Sequence, residues 1–443
     1  MLIFVLLYRY KGEKRLKKKA LKYILTSGIL ASTLVGTTAF AEPVTTPNGP
    51  WVQDGQNLSL SGLMSNEQLE SKLKQIEKAA KGKMVLEQFG TSNDGYPLYV
   101  AKFGDNDPKK NRVLVYTQIH GNEPLGTEAI GELMQQLSSG SKEVNDILDE
   151  VSVWFVPRLN PDGTANQYEG KPFPTRYSHQ TWNPKELGLP ADTKAPWYYN
   201  AEGSERAQNN DGSVVYGIPG FDLNRDFHPN YDFDIKEEIK KDPQKVAEVL
   251  NNSATNNGAN ASLVFSPETC ALTELTQELS PDVAIDIHHR GFNRLSEEDS
   301  RSVSIQLLAQ FTTKPYVDPF SGKTYVLDED VLTLSKKVNA VAYKSLQLGN
   351  SSFGAIQKYP IVNYPGSGLG AIQLNGTATM LIEIKGQTQT LGQKQNGMLK
   401  ETAKVPVIAV LNGLADGSLE NADPAVYDAI PSTALGVSPG DKH

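Results

Sequence analysis

The sequence predicts an α/β fold, with a mixed and mostly parallel central sheet and helices on both of its faces. The main observation is a set of short apolar runs rich in Val and Ile, which is typical of strands buried on both faces. These runs are NRVLVYTQI (111–119), VSVWFVPRL (151–159), DVAIDI (282–287) and TATMLIEI (377–384). A helical run, GTEAIGELMQQL (126–137), separates the first two. Alternation of strands and helices indicates crossover connections and therefore parallel pairing.

The N-terminus predicts an export signal. An odd apolar start is followed by a basic stretch, an apolar stretch from Tyr23 to Gly36, and small residues at Ala39 and Ala41. This is the pattern of a secretory signal peptide. The alternative is a membrane anchor, but the apolar stretch is short for a spanning helix. We therefore expect residues 1–41 to be a signal peptide with extra N-terminal residues, cleaved after Ala41, and the mature protein to be secreted.

The remaining chain predicts one domain between two irregular segments. Residues 42–60 are rich in Pro, Gly and Asn and predict a linker, and residues 415–443 predict a flexible tail of the same character. The domain, residues 61–414, should begin with a helix capped by Ser65 and a strand at YPLYVAKFG (96–104). Residues 164–224 have no apolar period and predict extended surface loops.

Charge and cysteine content exclude several kinds of partner. The chain has a net charge of −8, and the predicted signal carries eight Lys/Arg and one Glu, so the mature chain has a net charge near −15. Nucleic acid and, after signal removal, the membrane are therefore not expected as partners. Because Cys270 is the only cysteine, an intramolecular disulfide is excluded and a large core must stabilise the exported fold. We expect a monomer.

Two of the six histidines lie where predicted strands end. His120 closes the first apolar run, and His288 closes the third. In open α/β sheets, sites form beyond the carboxyl ends of strands, so these side chains can converge. Gly121 and Pro124 indicate that His120 and Glu123 lie in a turn rather than on a helix. Two imidazoles and a carboxylate are the ligand set of catalytic zinc, and the alternative is a pair of hydrogen-bonded histidines without a metal.

Further polar residues lie at other strand ends. Asn160-Pro161-Asp162-Gly163 follows the second run and by itself indicates only a turn. Glu383 is a carboxylate inside an apolar run; it is either a solvent-facing strand residue or, near a metal, a general base. The segment GFDLNRDF places Asp222, Asn224 and Arg225 within four residues. Arg beside Asn suits a carboxylate ligand, because a guanidinium can bind both oxygens.

In this order, the motifs resemble those of the zinc metallocarboxypeptidases of the carboxypeptidase A type, in a secreted and bacterial-like member. The resemblance covers roughly residues 60–410 and rests on His-x-x-Glu, Asn-Pro-Asp-Gly, Asp-x-Asn-Arg, Ile-His and an apolar strand with Glu. It implies one zinc ion on His120, Glu123 and His288, and Asp222 as the carboxylate that orients a ligand imidazole.

The resemblance also implies roles in catalysis and substrate binding. Glu383 would be the general base, Asn224 and Arg225 would hold the free C-terminal carboxylate of a peptide or protein substrate, and Tyr364 would close over it. The arginine that polarises the scissile carbonyl is Arg176 or Arg206, of which Arg176 is favoured by its distance from Gly163. His289 is an alternative ligand to His288, although the strand phase and the Ile-His match favour His288.

We therefore expect a secreted zinc-dependent carboxypeptidase that hydrolyses C-terminal peptide bonds. One alternative is a related zinc hydrolase that acts on cell-wall peptides or N-acyl amino acids. The other is a non-catalytic binding protein, which would be expected to lack one of His120, Glu123, His288 or Glu383; the presence of all four counts against it.

Overall fold

The computed structural model of the protein describes residues 64–168, 170–201, 207–208, 214–215, 218–253, 263–290, 303–347, 355–385 and 392–432. The predicted signal peptide and linker lie outside the described residues, as do Arg206 and the last eleven residues of the predicted tail. Within the described ranges, no helix is long and apolar enough to span a membrane.

The helices are α1 (Asn66–Ala80), α2 (Leu125–Leu137), α3 (Lys142–Glu150), α4 (Pro161–Ala165), α5 (Ile235–Lys241), α6 (Pro243–Ser253), α7 (Pro267–Leu279), α8 (Glu329–Gln347), α9 (Gly368–Leu374), α10 (Gly392–Ala415) and α11 (Ala425–Asp428). In the described ranges, 3-10 helices also cover Leu223–Arg225 and Ser418–Asn421. The predicted first helix begins as expected, because the Ser65 side chain accepts the Gln68 N–H while the Gln68 side chain accepts the Ser65 N–H.

The strands are β1 (Met84–Thr91), β2 (Pro97–Phe103), β3 (Asn111–Thr117), β4 (Val151–Val156), β5 (Gln167–Tyr168), β6 (Lys171–Pro172), β7 (Tyr199–Asn200), β8 (Ala207–Gln208), β9 (Val214–Val215), β10 (Gly220–Phe221), β11 (Val283–Arg290), β12 (Val303–Leu308), β13 (Tyr316–Val317), β14 (Thr324–Tyr325), β15 (Ala355–Lys358) and β16 (Ala378–Lys385). The six strands from β5 to β10 have two residues each and lie in the stretch predicted as extended loops.

The central sheet has eight strands in the described part of the chain, in the order β1-β2-β4-β3-β11-β16-β12-β15. Strands β4, β3, β11 and β16 are consecutive parallel neighbours. Strand β15 is parallel to β12, whereas β12 runs antiparallel to β16. At the other edge, β1 and β2 pair antiparallel with each other and β2 pairs antiparallel with β4. The predicted mixed, mostly parallel sheet is therefore confirmed.

Helices cover both faces of this sheet. Along β3, Val113 and Val115 pack into one core, whereas Leu114 and Tyr116 pack into a second core on the opposite face. Because successive strand residues point to opposite faces, this alternation requires apolar partners on both. The first core contains side chains from α1, α2, α8 and α10, and the second contains side chains from α7 and α9. The apolar runs of the sequence are continuous because the strands are covered by helices on both faces.

The described part of the predicted tail is structured. Leu419, Tyr427 and Ile430 are buried in the first core, and the Tyr427 hydroxyl accepts the N–H of Ala309 at 3.1 Å. The expected domain end at residue 414 therefore falls inside the packed fold. The sequence did not predict this structured segment. Its three core residues stand singly among Gly, Asp and Pro, and single apolar residues leave no periodic pattern.

Candidate metal centre and active site

The turn at His120 begins directly after a buried strand. Strand β3 ends at Thr117, and Gln118 takes a positive φ of 53° that turns the chain out of the sheet. The Glu123 N–H donates to the His120 carbonyl at 3.1 Å, and α2 begins at Leu125, after Pro124. A Cβ on Gly121 would lie only 2.4 Å from the backbone of Gly163, so this turn requires glycine. His120 and Glu123 thus lie in a turn, as predicted.

Three buried side chains converge at the carboxyl end of the parallel strands. Nδ1 of His120 lies 2.8 Å from Oε1 of Glu123, and Nδ1 of His288 lies 2.9 Å from Oε2 of the same carboxylate. The two Nδ1 atoms lie 3.2 Å apart. In the described residues, these three form the one group of His, Cys, Asp and Glu whose ligand atoms all lie within 4.8 Å of one another.

Glu383 lies next to His288 across the sheet. His288 on β11 is the register partner of Glu383 on β16, and Gln306 on β12 is the partner of Glu383 on its other side. Residues paired in register project to the same face, so the Glu383 carboxylate lies on the face that carries the metal cluster. The sequence predicted that His288 directly follows its strand. Strand β11 instead continues through Arg290, because these residues still pair with β16, so His288 lies inside the strand.

Asp222 lies behind the His120 imidazole, and Arg176 extends from Asp222 to the cluster, with its Nη1 3.2 Å from Nδ1 of His120. Oδ1 of Asp222 is 3.2 Å from Nε2 of His120, on the side of the ring opposite the cluster. The Asp222 Oδ2 accepts from Nε and Nη2 of Arg176 at 3.1 and 3.0 Å. Nη1 of Arg176 is 3.8 Å from Oε1 of Glu123. Of the two arginines considered for the scissile carbonyl, Arg176 therefore lies at the cluster.

Asn224, Arg225 and Tyr364 form a half-buried group beside His288. The Asn224 Oδ1 accepts the N–H of Gly368 at 3.0 Å, and Nδ2 of Asn224 lies 3.3 Å from Nε2 of His288. The Arg225 guanidinium donates to the Asn224 carbonyl at 2.8 Å and stacks on the Tyr364 ring, with 4.3 Å between Cζ and the ring centre. The Arg225 cation thus lies beside Asn224, which contacts His288, in a partly accessible position.

The sequence model of the zinc carboxypeptidase family matches residues 69–293, which is about half of the chain. The chain belongs to the zinc carboxypeptidase family. The matched segment includes His120, Glu123 and His288, so the convergent group of this structure lies inside the family region.

Curated relatives match over short segments. Carboxypeptidase E of Caenorhabditis elegans is 35% identical over 104 residues, which are 22% of this chain and 22% of that protein. The zinc carboxypeptidase of Saccharothrix mutabilis subsp. capreolus is 25% identical over 120 residues, which are 26% of this chain and 27% of that protein. The match thus spans about a quarter of the length of these relatives.

The fold is similar to that of thrombin activatable fibrinolysis inhibitor, of which two solved structures align with the chain. Thrombin activatable fibrinolysis inhibitor aligns with a TM-score of 0.52 at 13% identity, covering 80% of this chain and 78% of that chain. The bovine protein, solved in complex with tick carboxypeptidase inhibitor, aligns with a TM-score of 0.50 at 14% identity, covering 80% of this chain and 98% of that chain. At this identity the similarity concerns the fold alone.

The electrostatics of the His120, Glu123 and His288 cluster favour a cation. Burial would raise the pKa of Glu123, but the His120 and His288 rings outweigh it and hold that pKa well below its usual range. Burial would also raise the pKa of Asp222, but Arg176 and His120 hold it well below its usual range. Both carboxylates are therefore charged. Two imidazoles and a charged carboxylate, with further carboxylates behind the rings, fit zinc.

His289, the alternative ligand, is used elsewhere. Its Nε2 accepts the N–H of Leu125, the first residue of α2, at 2.9 Å. Burial lowers the pKa of His289 to about 4, so the ring is neutral and can accept this bond. Its imidazole thus satisfies a free donor at the start of a helix. The convergent group contains His288 instead.

Asp286 is a residue of the site that sequence reasoning missed. Its Oδ2 lies 2.7 Å from Nε2 of His288, and its side chain is 1% exposed. The available signal was a carboxylate two positions before a histidine in an apolar strand, which places both side chains on one face. Burial would lower the pKa of His288, but the charges of Asp286 and Glu123 outweigh it and raise that pKa well above its usual value.

Proposed function

We propose that the protein is an exported, monomeric zinc-dependent carboxypeptidase that removes C-terminal amino acids from peptides or proteins. One observation carries the proposal: a buried group of His120, Glu123 and His288 lies beside Glu383, and Asn224, which contacts His288, also accepts a hydrogen bond from Arg225. Family membership, whose matched residues 69–293 include His120, Glu123, His288 and Arg225, supports it.

The metal ligands and the general base have distinct roles. His120, Glu123 and His288 would hold zinc, which supplies Lewis-acid polarisation of the scissile carbonyl and lowers the pKa of water. Glu383, which lies beside His288, takes a proton from the attacking water and passes it to the leaving amine. A carboxylate at the end of a buried strand is held rigidly, as a proton carrier between two nearby atoms must be.

Arg176 stabilises the negative charge that develops on the carbonyl oxygen. Its guanidinium is oriented by two hydrogen bonds to Asp222, and its Nη1 remains on the side of the cluster, 3.8 Å from Glu123. A donor held in place before the reaction costs no reorganisation when the oxyanion forms. Its side chain is 25% exposed, so substrate can reach it.

Asn224, Arg225 and Tyr364 recognise the free C-terminus of the substrate. The Arg225 guanidinium offers paired donors that match a carboxylate, and its stacking on Tyr364 limits its orientation. Tyr364 lies in the loop before α9, and Gly368, the first residue of α9, donates its N–H to Asn224. Closure of Tyr364 over the bound carboxylate would change the stacking on Arg225, which couples recognition to closure.

Export rests on the N-terminal sequence alone, in which a basic stretch precedes a short apolar stretch and an Ala-x-Ala site. Recovery of the mature protein from culture medium, with an N-terminus at residue 42, tests it.

The test of the activity is a matched pair of peptides, one with a free C-terminus and one amidated, assayed with the wild type and with Arg225→Ala. Loss of a charge-assisted contact to the carboxylate should cost about 2–4 kcal/mol, or roughly 30- to 1000-fold in kcat/KM. The wild type should prefer the free acid by such a factor, and Arg225→Ala should lose this preference by slowing on the free acid. Arg112→Ala is the control, because Arg112 pairs with Asp282 at the opposite end of β3.

Other results would favour the alternatives. Equal cleavage of both peptides at an internal bond would refute the carboxypeptidase proposal and favour an endopeptidase that acts on cell-wall peptides. Cleavage confined to N-acyl amino acids would favour a related zinc hydrolase that acts on these compounds. Peptide binding without hydrolysis by the zinc-loaded protein would indicate a non-catalytic binding protein.

A further inference from the structure

Asp286 and His288 form a buried pair inside β11. The two residues are two positions apart, so their side chains lie on the same face of the strand. Oδ2 of Asp286 lies 2.7 Å from Nε2 of His288, a short distance for a hydrogen bond to a carboxylate. The ion pair with His288 is the one ion pair that Asp286 makes in the described part of the chain. By contrast, Asp222 shares its charge between His120 and Arg176.

A second group competes for the same ring nitrogen. The Asn224 Oδ1 accepts the Gly368 N–H at 3.0 Å, which fixes the orientation of the amide and directs its Nδ2 toward Nε2 of His288, at 3.3 Å. An amide N–H favours an unprotonated Nε2, whereas a carboxylate favours a protonated one. The shorter and charged contact is that of Asp286, so the protonated Nε2 is favoured.

We propose that Asp286 is a positioning residue that holds His288 in its Nε2–H tautomer and directs an unprotonated Nδ1 at the zinc. This inference rests on the proposed function, because it concerns the same metal. A neutral imidazole can ligate only through its unprotonated nitrogen, and Nδ1 is the atom that lies 2.9 Å from Glu123. Without the carboxylate, the Asn224 amide is the polar group that the described residues leave at Nε2, and it favours the tautomer in which Nδ1 carries the proton and cannot bind.

The two proposed ligand histidines have the same kinds of contact, which supports the proposed role of Asp286. Each imidazole has Nδ1 in the cluster and a carboxylate oxygen at Nε2, Asp222 for His120 and Asp286 for His288. The two carboxylates come from different parts of the fold, a loop before a 3-10 helix and a buried strand. Two carboxylates from independent parts of the fold thus orient the two imidazole rings in the same way, with Nδ1 in the cluster.

The experiment measures the zinc affinity of the full chain by competition with a chelator, in the wild type, Asp286→Asn and Asp318→Asn. Asparagine keeps the size of the side chain but can present an N–H to Nε2, which favours the wrong tautomer. We expect Asp286→Asn to bind zinc about 10- to 100-fold more weakly. Asp318→Asn is the matched control, because Asp318 is a buried carboxylate that faces a histidine outside the cluster, His228, at 3.7 Å. Its zinc affinity should equal that of the wild type.

A second measurement does not require the variant to fold. Nitrogen-15 NMR of the zinc-loaded wild type should show a protonated Nε2 and an unprotonated, metal-bound Nδ1 for His288. Wild-type affinity in Asp286→Asn, or a protonated Nδ1 in the NMR spectrum, would overturn the inference while the proposed function stands. A wild type that binds no zinc would refute the proposed function, and the role of Asp286 with it.

Discussion

Glu268 should make the stability of the protein fall as pH rises. It lies in the first turn of α7, fully buried, and its Oε1 accepts the N–H of Asn93 at 3.0 Å. The buried Asp162 interacts with it directly, while Asp162 itself accepts from Ser92 Oγ and from the N–H of Asp94 at 3.0 Å. Burial first, and then the charge of Asp162, raise the pKa of Glu268 to about 8. The Glu268 carboxyl is therefore mostly protonated at neutral pH in the folded protein.

The sign of the effect follows from proton binding. In the unfolded chain the pKa of Glu268 is about 4.3, so between about pH 4 and 8 the folded protein binds more protons at this site than the unfolded one. The stabilisation is complete below the unfolded pKa and is lost as pH rises through the folded pKa. The largest slope from one such group is about 1.4 kcal/mol per pH unit. Between pH 6 and 8 we therefore expect a loss of about 2 kcal/mol from Glu268.

The perturbation is Glu268→Gln, which keeps the acceptor for Asn93 and offers an N–H to Asp162 without a titrating proton. Urea unfolding should give the variant nearly the same free energy of unfolding as the wild type at pH 6. At pH 8, the free energy of unfolding of the variant should exceed that of the wild type by about 2 kcal/mol. Glu274→Gln is the control, because Glu274 is exposed on the same helix. The test compares the difference between variant and wild type at each pH, so that pH effects common to both cancel. An unchanged pH dependence in Glu268→Gln would refute the reasoning.

Two further predictions concern the metal and the base. Elemental analysis of the purified protein should find about one zinc per chain, and His120→Ala should lose most of that zinc and the activity; full zinc content in His120→Ala would show that the site is elsewhere. Glu383→Gln keeps the size of the side chain but not the base, so folding and zinc content should persist while kcat falls at least about a hundredfold. Loss of zinc from Glu383→Gln would show instead that Glu383 is a ligand.

Local sequence patterns were enough to predict the central strands and the turn at His120. Apolar runs of Val and Ile predict doubly covered strands, because no polar face is tolerated between two layers of helices. Gly121 and Pro124 exclude a helix at the His120 turn, and the structure has a turn there. Strand ends were less accurate: β3 stops two residues before the predicted end, and β11 continues three residues past it. Pairing with neighbours, rather than residue type, sets where a strand stops.

The sequence by itself determined which side chains were available for chemistry: few histidines, carboxylates in two apolar strands, and an Arg beside an Asn. Only the tertiary structure decided which of them meet. His120 and Glu383 are far apart in the chain and converge because β3, β11 and β16 are adjacent and parallel, with His288 and Glu383 in register. Strand order and register follow from long-range packing, which local periodicity does not encode. For the same reason, only the structure brought Arg176 to Asp222 and placed the buried Asp286 behind His288.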